Sequence, residues 1–113
     1  MKLVVDSLWS PDLTPPSTRV PANATSFRAL VQVAVVERGA PGREVFGLTA
    51  LSPDQLAAAE PGSFISHTLV LQRFSWEEIR TRVEKLLRHT ESCSSWSDAI
   101  RTLAGYLSHS DSN

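Results

Sequence analysis

The stretch from Phe27 to Leu51 restricts the fold more than any other. Phe27, Ala29, Val31, Val33 and Val35 fall on one side of an extended chain, while Arg28 and Gln32 fall on the other. This period of two is that of a half-buried strand. Gly39, Pro41 and Gly42 follow within a few residues; two glycines that accept positive φ and a proline that cannot donate to a ladder make the chain turn there. Val45, Phe46, Leu48, Thr49 and Leu51 then form a second β-rich run. The short connection predicts an antiparallel hairpin and not a crossover. A lone hairpin is only marginally stable in water, so the rest of the chain must cover its apolar face.

With 113 residues the expectation is a single domain spanning 1–113, large enough for one core without staples. Cys93 is the only cysteine, so no intrachain disulfide can form, which fits a reducing compartment. Eleven Lys and Arg against twelve Asp and Glu leave a net charge of −1. With no basic excess to neutralise phosphates, no nucleic-acid partner is expected. The start, Met1 to Asp6, reaches an acid after three apolar residues, too soon for a signal-peptide core, and the expected location is cytoplasmic. No apolar run approaches the roughly 20 residues of a membrane span.

Ahead of the hairpin, Leu3, Val5 and Trp9 alternate with Lys2, Val4 and Asp6 as a first strand. Residues 10–26 hold Pro11, Pro15, Pro16 and Pro21, a long Pro-rich loop that is either recognition surface or slack. Its prolines limit the conformations lost on docking and so favour recognition. After the hairpin, Ser52-Pro53-Asp54-Gln55 has a capping oxygen, a proline at the first helical position and an acid in the first turn, predicting a short helix to Glu60. Phe64 to Phe74 reads as a strand, with Ile65, Leu69 and Leu71 on one face and His67 beside them.

Two helices follow. Ser75-Trp76-Glu77-Glu78 is a capping box ahead of a stripe of Trp76, Ile79, Val83, Leu86 and Leu87, and Ser95-Trp96-Ser97-Asp98 opens a second stripe through Ile100, Leu103 and Leu107. His89 to Ser94 is a polar break, and 108–113 reads as a frayed tail. The order β-β-β-α-β-α-α predicts an α+β fold: an antiparallel sheet of about four strands with helices packed on one face.

No catalytic residue, cofactor or metal emerges from the sequence. His89 and Cys93 are four residues apart and would align only if helix continued between them, which the intervening serines oppose. A zinc site needs three or four ligands, and His67 and His109 lie in a strand and in the tail. Trp76 and Trp96 are expected to pack; Trp9, ending a strand, is open to either packing or binding.

Leu8-x-Ser10-Pro11-Asp12, the Pro-containing loop, Phe27 opening a Val-rich strand, Glu44-x-Phe46, Ser52-Pro53-x-x-Leu56 and Ser95-Trp96-x-x-Ala99-Ile100-x-x-Leu103 together resemble the immunity protein 8 family of bacterial polymorphic toxin systems. The resemblance implies a protein that is no enzyme and that binds and neutralises a cognate toxin domain by occlusion. The near-neutral charge departs from the strong acidity of immunity proteins against nucleases. If the sheet is a meander, residues 10–26 and the helix from Pro53 to Glu60 share one end, making Asp12, Asp54 and Glu60, with Trp9 as an apolar anchor, the expected partner-binding residues. The plainer alternative is that these acids cap turns and a helix. Two other functions stand beside this one: a generic interaction or assembly module, and a small enzyme using Cys93 and His89.

Overall fold

A computed structural model describes residues 1–13 and 19–110. The α+β fold is the one expected, and the hairpin is its centre: β2 (Arg28–Glu37) pairs antiparallel with β3 (Arg43–Leu51). Gly39 and Gly42 supply the positive φ that the turn needs, at 77° and 138°. β1 (Leu3–Trp9) pairs antiparallel with the other edge of β2.

Alternation decides which face is buried. Ala29, Val31, Val33 and Val35 of β2 and Phe46, Leu48 and Ala50 of β3 lie on one side and join the core. Ile79, Val83 and Leu87 of α2 (Trp76–Leu87) and Ala99 and Leu103 of α3 (Trp96–Leu103) meet them there. Both helices begin as expected: Ser75 Oγ accepts from the Glu78 N–H at 3.1 Å and Ser95 Oγ from the Asp98 N–H at 3.2 Å. Each such cap contributes about 1 kcal/mol by satisfying an otherwise free donor. Thr90, in the 3₁₀ turn Arg88–Thr90 between the helices, is buried and donates to the Leu87 carbonyl at 2.6 Å.

Aromatic rings close one end of the core. Phe74 stands edge-on to Phe27 at 5.3 Å and to Trp76 at 5.1 Å between ring centres. The Trp76 indole N–H donates to the Arg19 carbonyl at 2.9 Å, and the Phe74 N–H to that of Ala24 at 2.8 Å, fastening residues 19–26 beneath the helix. Trp96 is also half-buried, its indole against the β2–β3 turn, where a Cβ on Gly42 would come within 2.9 Å of Nε1.

Three expectations are corrected. The strand predicted from Phe64 to Phe74 shrinks to β4 (Thr68–Val70), which runs parallel to β3. The chain climbs from α1 (Pro53–Ala57) back alongside the sheet before β4 descends, so the sheet is no simple meander. The tail predicted as frayed includes β5 (Ser108–His109), which pairs antiparallel with Phe46 and Gly47 of β3. His109 Nε2 lies 2.8 Å from Glu44 Oε2, and its ring packs against Phe46. A polar tail is ordered here because β3 has an unfilled edge above β4. The third correction concerns β1, where Leu8, and not Trp9, joins Leu3 and Val5 in the core. The remaining stretches, 14–18 of the Pro-rich loop and 111–113 of the tail, lie outside the described residues.

Candidate partner-binding face

The correction in β1 creates the site. Val5 pairs with Val35 and Ser7 with Ala34, so Asp6 is skipped as a bulge. From there Leu8 faces inward opposite Val33, and Trp9 lies opposite Gln32 on the side the helices do not cover. A one-residue shift exchanges faces because the side-chain period is two. That side also carries half-buried Val4, Val36 and Val45 and exposed Leu30, with Ala34 fully buried among them. Gly47 leaves room for the Gln32 amide, which lies within 4 Å of where a Cβ would stand.

One flank of this face is walled. α1 buries none of its residues, and the chain that follows returns past the sheet with Phe64 wholly exposed at 101% and Ile65 at 47%. A hollow of about 470 Å³ lies between wall and sheet, lined by Arg28, Thr49, Leu51, Glu60, Phe64 and Ile65 among others. The wall ends at His67, a non-glycine residue at φ 53°. Such a conformation is sparsely populated and persists where its surroundings enforce it. Here the imidazole Nε2–H donates to the Ala104 carbonyl at 2.9 Å, and the His67 carbonyl accepts from the Thr49 N–H at 2.9 Å.

The four residues singled out from the sequence have separate roles. Trp9 is half-buried on the open face. Asp12 Oδ2 accepts from the Leu30 N–H at 2.8 Å, continuing the β2 edge where β1 has ended. Asp54 accepts from the hydroxyls of Ser26 and Ser52. The Ser26 bond first, then that from Ser52, holds its carboxyl below the usual 3.8. Ser52 holds the N-cap position of α1 but its side chain makes no capping bond; the buried hydroxyl accepts instead from the Phe27 N–H at 2.9 Å. Glu60 is exposed and lines the hollow beside Phe64. The structure therefore gathers Asp12 and Asp54 near the start of β2 as braces, and sets Trp9 on the face and Glu60 on its wall. Phe64, Ile65 and Leu30 were missed. The signal for the first two was Pro61-Gly62-Ser63 immediately ahead and Ser66 behind, residues that favour turn over strand.

Elsewhere, Cys93 Sγ lies 3.5 Å from Thr102 Oγ1, while His89 lines a separate cleft. Among the described residues no three His, Cys, Asp or Glu side chains converge as a metal-binding group, and no helix is long and apolar enough to cross a membrane.

No curated protein and no solved structure matches the chain. The family model described as Immunity protein 8 matches residues 3–109 of the 113, taking in every strand and helix above, including the bulged β1 and the terminal β5. The chain belongs to the Immunity protein 8 family.

Proposed function

We propose that this protein neutralises the toxin domain of a bacterial polymorphic toxin system by seating it on the uncovered sheet face and its Phe64 wall, in the cytoplasm of the producing cell. The observation that carries the reading is Phe64, fully exposed beside half-exposed Ile65 at the rim of the sheet face opposite the one that α2 and α3 cover. Burying a phenylalanine contributes about 1.5–3 kcal/mol, so a monomer gains nothing by presenting one to water unless a partner covers it. Occlusion needs a complementary surface of about 800 Å² per partner and no reactive group, and non-enzymatic inhibition is what membership in an immunity-protein family suggests.

Within this reading Phe64, Ile65 and Trp9 are apolar anchors and Glu60 a charged contact at the rim. Asp12 and Asp54 act indirectly, by holding residues 10–13 and 23–26 in place. The test is co-expression in a sensitive bacterium with polymorphic-toxin C-terminal domains, starting with any that a neighbouring reading frame encodes. The native chain restores growth, and a Phe64→Ser/Ile65→Ser variant that still folds does not. Growth restored equally by that variant rejects the assigned face; failure of the native chain to protect rejects the function.

A further inference from the structure

A second site lies on the opposite, helix-covered side and is independent of the toxin-binding reading. α2 presents Arg82, Lys85 and Leu86 at helical spacing, and His89 continues the same stripe into the 3₁₀ turn. Across from them stand His67–Leu69 and Gly105–Leu107, and the two walls enclose a cleft of about 350 Å³. Its floor is apolar. Leu48, Val83 and Leu107 are buried core residues, whereas Leu69 and Leu86 are only partly covered. Among the described residues no Asp or Glu lines it, although the whole chain carries a net charge of −1. Glu78 lies 3.8 Å from Arg82 one turn away, outside the cleft.

We infer that this cleft binds a small amphipathic carboxylate: an apolar chain on the leucine floor, with its anionic head held by Arg82 and Lys85. The Arg82 guanidinium offers a fork for two carboxylate oxygens and Lys85 a mobile point charge. The volume sits at the lower end of the roughly 300–1,000 Å³ of ligand pockets. At roughly 30 Å³ of liquid volume per water-sized group, it holds about a dozen non-hydrogen atoms. That is the size of decanoate, and is too small for the side chains of a folded partner's whole face. His67 fixes the mouth, since its bond to the Ala104 carbonyl ties the loop before β4 to the end of α3.

The test is a titration of the full chain, followed by amide NMR shifts, with decanoate below its micellar concentration, with decanol, and with an acidic, leucine-rich peptide. Decanoate is expected to shift the amides of Leu69, Val83, Leu86 and Leu107 saturably, with decanol binding about tenfold more weakly for want of the charge-assisted bonds. An Arg82→Gln/Lys85→Gln variant, altered only at exposed positions, should melt as the native chain does and lose about tenfold in decanoate affinity, the decanol shifts remaining. Equal affinity for decanol and decanoate, shifts centred outside the cleft, unchanged affinity in the double variant, or binding of the peptide alone would each overturn the inference.

Discussion

Trp9 pairs with Gln32 across the β1–β2 ladder, one position away from Val31, which it would face if the register set by Leu3 and Glu37 ran unbroken. Val31 is fully buried in the core and Gln32 lies on the open face. Pairing Ser7 with Ala34, which skips Asp6, thus determines whether an indole is spent on packing or displayed.

Two variants of β1 separate these outcomes. Deleting Asp6 leaves Val5 and Ser7 as consecutive partners of Val35 and Ala34, so Leu8 stays inward and Trp9 outward. The expected cost is within about 1 kcal/mol, since the bulge and an exposed 3.8 Å pair with Arg43 are all that is lost. Inserting one residue between Ser7 and Leu8 reverses both faces and should destabilise by about 2 kcal/mol or more through the loss of Leu8 burial. Urea unfolding of the two variants checks the difference.

Ser52→Ala removes the hydroxyl that accepts from the buried Phe27 N–H. An unsatisfied buried donor costs about 1–3 kcal/mol. The loss should exceed that from Ser75→Ala, expected near 1 kcal/mol for a helix cap, and thermal unfolding of both ranks them.

Asp54 gives a pH dependence of known sign. Its carboxyl titrates lower in the folded protein than the usual 3.8, chiefly because Ser26 and then Ser52 donate to it. The unfolded chain therefore takes up the proton first, and the stability linked to this group is present above the unfolded value and lost as pH falls through the folded one. Stability measured from pH 6 down to pH 2 should fall below about 4, and Asp54→Asn should flatten that part of the curve.

Gly42→Ala is expected to destabilise by about 1–3 kcal/mol. An alanine there would hold φ 138° with its Cβ 2.9 Å from the Trp96 ring nitrogen. If the ring is the larger obstacle, adding Trp96→Phe recovers part of the loss in a double-mutant cycle.

The hairpin, the caps at Ser75 and Ser95 and the one-sided helical layer were legible because local pattern and tertiary need agree there. Alternation across Phe27–Val35 points to the same buried face that α2 and α3 cover. Phe64–His67 misled because Ile65 fits the alternation of Leu69 and Leu71, and nothing local says that an apolar residue remains in water. The bulge at Asp6 left no mark, since Leu8 and Trp9 are both apolar and either one fits the core. β5 was hidden for a different reason: Ser108 and His109 pair through backbone alone, at an edge created by residues sixty positions earlier. Asp12 and Asp54 stand out in the sequence as acids beside turns, yet their partners, Leu30 and Ser26, are set by tertiary approach.

On the proposed function, a partner covers the sheet face walled by Phe64. It is checked by calorimetric titration of a toxin domain that the native chain neutralises into the native chain and into Phe64→Ser/Ile65→Ser. The double variant should lose about a hundredfold or more in affinity with its melting temperature unchanged, as for anchors at an interface centre; equal affinity of the two chains would show that the partner does not sit on this face.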